Sequence, residues 1–110
     1  MRATPETLNF TGSDTKVGFA APCFLHGFML GMDGSNDPTV VMYNCGTSTT
    51  VGKTVIVPSN TYDSGALNLN GAMATERVYC SEGIAVEVTL SAGACDVTLL
   101  YSSRPVWCTG

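Results

Sequence analysis

The sequence predicts an all-β protein, a single antiparallel β-sandwich of seven to eight short strands, of which a jelly roll is one form. Three observations support this prediction. Runs of β-branched and aromatic residues alternate at even spacing with clusters of Gly, Ser, Asn, Asp and Pro. No long window keeps the apolar spacing of a helix without interruption by Gly, Pro or β-branched residues. The 110 residues have the size of one domain.

The predicted strands lie between residue 7 and residue 101. In chain order they are Thr7–Thr11, Val17–Phe19, Cys23–Met32, Thr39–Cys45, Thr54–Val57, Arg77–Cys80, Ile84–Leu90 and a last strand with Val97, Leu99 and Tyr101. Residues 66–69 form either another short strand or an extended loop. One domain is therefore expected over residues 1–110, with a short N-terminal arm (1–6) and a C-terminal tail (102–110) outside the strand pattern.

Some of these segments also predict their surroundings. Cys23–Met32 is apolar on both faces, which favours a central position in the sandwich. Ile84–Leu90 alternates large apolar residues with Ala, Glu and Thr, so one face is expected in the core and the other towards water or a neighbour. Pro58 is expected to end the fifth strand, and Ser91–Ala94 is expected to close a hairpin with the last strand.

The strongest turn signal runs from Asp33 to Pro38. The spacing of Asp33, Ser35 and Asp37 resembles the start of an EF-hand calcium loop. Such a loop needs Gly at its sixth position and Glu at its twelfth, where this chain has Pro38 and Asn44. We therefore expect a turn held by aspartate hydrogen bonds and no metal site.

Charged residues make up only 13% of the chain, about half the share of a typical soluble domain. A surface with so little charge suits a protein that is partly covered by neighbours, although a Thr- and Ser-rich domain that stays alone has the same composition. The net charge is −4 and the five basic residues are scattered, so binding to nucleic acid or to an anionic membrane is not expected.

No signal peptide is expected, because the first residues lack an apolar region behind a basic start. The most apolar stretch, Val17–Met32, is too short to span a bilayer and contains Pro and several Gly residues. It is interpreted as buried strand.

Five cysteines are present, at Cys23, Cys45, Cys80, Cys95 and Cys108. They are widely separated and contain no CxxC pair, which excludes the usual zinc pattern. We expect small buried thiols in a reducing compartment. Were one pair to be oxidised, Cys80 and Cys95 would be the pair to test, because they bracket the expected hairpin.

No catalytic constellation is recognisable. His26 is the only histidine, and no nucleophile motif accompanies it, so we interpret it as a core or edge histidine with one nitrogen satisfied. Most acidic residues fall in predicted turns, and Glu87 lies on a strand but faces away from its apolar side. No enzyme activity and no cofactor are expected.

The two chain ends supply the candidate partner-interface residues. Trp107 is the only tryptophan and follows the last predicted strand, together with Arg104. It either caps its own core or anchors into a partner, since interface hot spots favour Trp and Arg. Arg2, Thr4 and Pro5 are the corresponding residues of the N-terminal arm.

The middle and second half of the chain resemble a group of small all-β bacteriophage virion proteins. The resemblance rests on five segments: Pro22–Gly27, Val40–Asn44, Gly46–Thr50, Val78–Gly83 and Val97–Tyr101. They correspond to an early strand, a strand ending in an aromatic residue before a polar turn, a Gly- and Thr-rich loop, a late strand running into a glycine turn, and a final strand that ends in an aromatic residue.

This resemblance covers roughly residues 17–101 and leaves the C-terminal tail outside it. It implies a non-enzymatic structural protein, a head decoration or cement protein that is made in the host cytoplasm and binds the outer capsid surface. Its expected partners are the major capsid protein and neighbouring copies of itself, as a homo-oligomer such as a trimer. A neck or tail component is the alternative within the same group.

Two other classes of protein remain as alternatives. A carbohydrate-binding β-sandwich would show aromatic residues in its loops, for which Tyr62, beside Asp63, is the one feature. A secreted domain held by disulfides is disfavoured by the missing leader and by the odd number of cysteines.

Overall fold

A computed structural model of the chain describes residues 3–64, 70–71 and 77–103. These residues form nine β-strands and no helix, which confirms the all-β prediction. The strands are β1 (Thr4–Phe10), β2 (Asp14–Phe19), β3 (Cys23–Met32), β4 (Thr39–Asn44), β5 (Thr54–Thr61), β6 (Asn70–Gly71), β7 (Val78–Cys80), β8 (Ile84–Thr89) and β9 (Cys95–Ser102). The count exceeds the expected seven to eight because β6 and β7, of two and three residues, share one edge of β3.

The strands form two antiparallel sheets. The first has the order β1-β9-β3-β6, with β7 also paired to β3, and the second has the order β2-β8-β4-β5. When β6 and β7 are counted as one position, this is the strand order of a jelly roll. β3 lies between β9 and the β6/β7 edge, so the central position predicted for Cys23–Met32 is confirmed.

The predicted hairpin between β8 and β9 is wrong. β8 pairs with β2 and β4 in the second sheet, whereas β9 pairs with β1 and β3 in the first. The segment Ser91–Ala94 therefore crosses from one sheet to the other. The apolar alternation was interpreted correctly, but two strands that bury their apolar faces in one core from opposite sheets have the same local pattern as a hairpin.

Pro58 does not end the fifth strand, because β5 continues to Thr61. β5 is the outer strand of the second sheet, and its register with β4 shifts between the pairs Val40–Asn60 and Met42–Val57. Proline has no N–H to donate, and it is tolerated where a strand is at an edge or carries a bulge. Both conditions hold at Pro58.

The N-terminal arm is shorter than expected. β1 begins at Thr4, where Thr4 pairs with Tyr101 and Pro5 with Leu100. Ser102, the first residue of the expected tail, is the last residue of β9. Residues 4–6 and Ser102 therefore belong to the sandwich, and residues 104–110 lie outside the described part of the chain.

The core lies between the two sheets. The largest fully buried side chains are Phe10, Leu25, Met42, Ile84 and Leu99, followed by several valines. The predicted buried face of β8 is confirmed, since its Ile and Val side chains are at most 1% exposed. The other face of β8 is less open than expected, because Ala85 is completely buried between Val17 and Tyr43, its register partners on β2 and β4.

The four described cysteines are free and buried, as predicted for small apolar thiols. The pairing suggested for Cys80 and Cys95 is wrong. Cys80 lies opposite Cys23 at the start of β3, whereas Cys95 lies opposite Met32 at the end of that strand. Cys108 lies outside the described residues. None of the described segments is a helix long and apolar enough to cross a membrane.

Candidate interaction surface at one end of the sandwich

The connections between strands gather at two opposite ends of the sandwich. One set comprises residues 11–13, 33–38, 62–64 and 90–94, and we call it the aspartate end. The other set comprises residues 20–22, 45–53 and 81–83, and we call it the terminal end. β1 starts and β9 finishes at the terminal end, as the pair Thr4–Tyr101 shows. The described part of the chain therefore starts and finishes at the terminal end.

The aspartate end is organised around the carboxylate of Asp33. Its Oδ1 accepts hydrogen bonds from the backbone N–H of Ser35 at 2.9 Å and of Asn36 at 3.1 Å. The Ser64 hydroxyl also donates to Oδ1 at 3.2 Å, and the Ala94 N–H donates to Oδ2 at 3.2 Å. The predicted aspartate turn is confirmed, and the same carboxylate also ties two distant loops to it.

These hydrogen bonds hold the pKa of Asp33 far below its ordinary value, the largest contributions coming from the N–H groups of Ser35 and Asn36. Each donor bonds more strongly to the charged carboxylate than to the protonated form. The loops at this end are consequently joined most firmly when Asp33 is ionised.

The loop of residues 11–13 is also joined by hydrogen bonds to the loop of residues 90–94. The Ser13 hydroxyl accepts from the Leu90 N–H at 2.8 Å and contacts the Leu90 carbonyl at 3.2 Å. Acidic side chains dominate this end. They are Asp14, Asp33, Asp37, Asp63 and Asp96. The aspartate end is thus polar, internally bonded and negatively charged.

The loops of the terminal end are held by both backbone and side-chain hydrogen bonds. The Cys45 N–H donates to the Gly83 carbonyl at 3.1 Å, and the Asn44 side chain accepts from the Glu82 N–H at 2.8 Å. A Cβ atom at Gly83 would collide with the backbone carbonyl of Phe19, and the φ angle of Gly83 is 141°. Only glycine fits at this meeting point of three loops.

The loop from 46 to 53 carries an exposed apolar residue on a fixed support. The buried Cys45 thiol contacts the Thr47 carbonyl at 3.1 Å and the Thr49 carbonyl at 3.4 Å. The Lys53 N–H closes a turn onto the Thr50 carbonyl at 3.0 Å. Val51 at the tip of this turn is 89% exposed. An apolar side chain held outward on a braced turn suits contact with a partner.

The outer face of the first sheet adds aromatic surface near the same end. Phe24 and Tyr79 pair across β3 and β7, with ring centroids 5.0 Å apart. Tyr79 is 55% exposed. Farther along β3, Met29 is also exposed on this face. Aromatic residues and methionine are the side chains enriched at protein interfaces.

Two of the five predicted interface residues belong to the described part of the chain, and three do not. Thr4 and Pro5 lie in β1, exposed, at the terminal end. Arg2, Arg104 and Trp107 lie outside the described residues. Sequence reasoning did not single out Val51 or Tyr79. The signal available for Val51 was one apolar residue in a Gly- and Thr-rich loop, directly before Gly52.

His26 is a satisfied histidine, as interpreted from the sequence. Its Nε2 lies 2.8 Å from the Ser102 hydroxyl, and the side chain is half-buried. Burial and, to a smaller extent, the charge of Arg77 lower the pKa of His26. The ring is therefore held neutral at neutral pH.

A polar groove of about 440 Å³ lies on the outer face of the second sheet. Its lining residues are Ser13, Asp14, Thr15, Ser48, Glu87, Val88 and Thr89. Beside the groove the Tyr43 hydroxyl donates to Glu87 Oε1 at 3.3 Å, and burial and the Glu87 charge raise the pKa of that tyrosine. Within the described ranges no three His, Cys, Asp or Glu side chains group as a metal site.

Tyr62, the loop aromatic considered for carbohydrate binding, is half-buried and packs on the core. Its ring meets Phe28 edge to face at 6.3 Å. It therefore offers no exposed stacking platform for a sugar.

No protein-family model, curated protein or solved structure matches this chain.

Proposed function

We propose that this protein is a non-enzymatic viral structural protein, a bacteriophage capsid decoration or cement protein that binds the outer capsid surface through its terminal end. The observation that carries the proposal is the asymmetry of the sandwich. Both chain ends, the exposed Val51 and the Phe24–Tyr79 pair gather at one end or beside it, while the opposite end is bonded to itself and acidic.

The arrangement suits a protein that attaches by several weak contacts. The first described strand, β1, starts beside the point where the last strand, β9, finishes, so segments that precede β1 and follow β9 are joined to the sandwich at one end. We propose that the residues of these segments that contact the neighbour are Arg2, Arg104 and Trp107. Contacts made by linked segments act at high effective concentration, and their effects multiply. The two neighbours we propose are the major capsid protein and adjacent copies of this chain, with a trimer as the expected oligomer.

The composition and the charge distribution support an outward-facing aspartate end. Five carboxylates keep that end hydrated, and a hydrated acidic surface resists aggregation between particles. Free buried thiols agree with folding in the host cytoplasm before assembly on the capsid.

The proposal is tested by co-sedimentation with heads assembled from the major capsid protein encoded on the same viral genome. The solution mass by light scattering, alone and with these heads, gives the oligomeric state and the stoichiometry. A closed oligomer that sediments with the heads is the expected result. A monomer that stays in the supernatant would refute the decoration hypothesis and favour a neck or tail position.

Two matched variants test the terminal end specifically. Val51→Asp and Ala92→Asp each place a carboxylate on an exposed residue that directly precedes a glycine of positive φ, at opposite ends of the sandwich. Both should leave the free energy of unfolding within about 0.5 kcal/mol. Val51→Asp should weaken binding to heads about tenfold, because an interfacial carboxylate must lose its water. Equal binding by the two variants would exclude the loop at 46–53 from the interface.

A further inference from the structure

Two cysteines face each other at the terminal end. Cys23, the first residue of β3, is the register partner of Cys80, the last residue of β7. Both side chains are completely buried, and both are free thiols. Directly opposed residues of an antiparallel pair have their Cβ atoms about 4.5–5.5 Å apart, close to the separation across a disulfide.

We propose that Cys23 and Cys80 form a disulfide when the folded protein meets a low-molecular-weight disulfide such as oxidised glutathione. One cysteine thiolate attacks the glutathione disulfide, so that a mixed disulfide forms and one glutathione thiolate leaves. The second cysteine then attacks the protein sulfur of the mixed disulfide, and the second glutathione leaves. In total, two protein thiols are oxidised to one bridge and one oxidised glutathione is reduced to two glutathione molecules.

The thiols of Cys23 and Cys80 are hydrogen-bonded to each other. The Cys80 thiol donates a hydrogen bond to the Val78 carbonyl at 3.7 Å, and it accepts one from the Cys23 thiol. This hydrogen bond lowers the pKa of Cys80 and, together with burial, raises that of Cys23. The contact between the sulfurs places the second thiol beside the mixed disulfide that forms at the first.

The position of Cys80 also provides a route for the oxidant. β7 has three residues, and within the described part of the chain it is paired on one side only, to β3. Separating so short an outer strand from its neighbour breaks few hydrogen bonds, and such local opening costs much less free energy than global unfolding. The bridge then fixes β7 to β3, and it closes the chain between residues 23 and 80.

The other described cysteines lack such a partner. Cys95 lies opposite Met32 and Phe10, at the far end of β3 and β9. Cys45 is surrounded by carbonyl and hydroxyl groups of Thr47 and Thr49. Burial raises the pKa of Cys95 to about 11, and neither of its register partners is a cysteine. Among the four described cysteines, only Cys23 and Cys80 are register partners.

The test incubates the folded wild-type protein in glutathione buffers of increasing oxidised fraction. After acid quenching, the remaining thiols are alkylated in denaturant, and intact mass and peptide mapping locate any bridge. We expect two of the five thiols to disappear together, with one peptide joining Cys23 to Cys80. The oxidised protein should melt at a higher temperature than the reduced protein, because the bridge restricts the unfolded chain.

Cys80→Ala and Cys95→Ala are the matched variants, since both remove a completely or almost completely buried thiol. Cys95→Ala should still lose two thiols, whereas Cys80→Ala should form no intramolecular bridge at Cys23. Peptide mapping of the wild-type protein locates the bridge directly, so the proposal is tested even if Cys80→Ala does not fold. A bridge between any other two cysteines, a glutathione adduct that never resolves, or five thiols retained up to unfolding would each overturn the proposal.

Discussion

The loops at the two ends of this sandwich are held together by different contacts. Each end must hold together loops that come from both sheets. The aspartate end uses a side chain, since the Asp33 carboxylate accepts hydrogen bonds from three separate segments. The terminal end uses the backbone, since Gly83 allows the carbonyls of Phe19 and Cys45 to approach it closely.

This difference determines what each end is free to do. At the aspartate end the polar side chains are largely occupied by one another, so few of them remain to bind a partner. At the terminal end close backbone contacts at Gly83 add to side-chain hydrogen bonds such as that of Asn44, and Val51 and Tyr79 are exposed. The difference also predicts that the stability of the aspartate end depends on pH, whereas the stability of the terminal end depends on the backbone conformation at Gly83.

The largest effect is expected from Gly83→Ala at the terminal end. The φ angle of 141° is unfavourable for any residue with a Cβ atom, and that atom would meet backbone carbonyls that cannot move aside independently. We expect a loss of about 3 kcal/mol in the free energy of unfolding, measured by urea denaturation. Gly12→Ala is the control, because nothing lies within 4 Å of a Cβ at that position. Similar losses for both variants would show that the terminal end does not depend on this close approach.

A smaller but pH-dependent effect is expected from Asp33→Asn at the aspartate end. The pKa of Asp33 is lowered in the folded protein, so its stabilising contribution is complete above its unfolded pKa of about 3.9 and is lost as the pH falls through the folded value. The variant should melt at a lower temperature than wild type at pH 7. The difference should shrink from pH 4 downward, in melting curves recorded between pH 7 and pH 2.

Ser64→Ala tests the loss of one hydrogen bond to Asp33 while the charge of Asp33 is kept. It removes one hydroxyl that donates to Asp33 but keeps the carboxylate and its backbone donors. Its melting temperature should be lower than that of wild type at pH 7. Because this donor also favours the charged form, the difference should narrow below pH 4, but less than for Asp33→Asn, since the main donors Ser35 and Asn36 remain. Parallel pH curves for wild type and Asp33→Asn would show that the aspartate end is not governed by the charge of this residue.

The sequence predicted where most strands lie, although the bounds of β1, β2 and β5 differ, and it did not predict how the strands pair. The bounds of Cys23–Met32 and the buried face of Ile84–Leu90 followed from local apolar pattern, and the structure has both. Nothing local distinguished a hairpin at Ser91–Ala94 from a crossing between sheets. Pro58 was interpreted by its usual effect on a central strand, and only the outer position of β5 explains why the strand continues.

The same limit applies to the candidate site. The aspartate turn was predicted because Asp33 bonds to residues two and three positions ahead. Its donors Ser64 and Ala94 lie about 30 and 60 residues away, and no local pattern encodes such a meeting. The exposure of Val51 likewise depends on how the Cys45 thiol braces its loop, which is a property of the folded chain.

The smallest effect is expected from the ion pair at the terminal end. Lys53 Nζ lies 2.7 Å from Glu82 Oε1, with side chains 35% and 47% exposed. Glu82 raises the pKa of Lys53, so the contribution from the charge of this lysine is complete below its unfolded pKa and is lost as the pH rises through the folded value. Lys53→Met, Glu82→Gln and the double variant form a thermodynamic cycle, measured by thermal melting at low and high salt. The coupling should be barely resolved at low salt and absent at high salt, because water and salt screen exposed charges. A coupling that survives high salt would mean that the terminal end, like the aspartate end, is held by charge, and the contrast between the two ends would then fail.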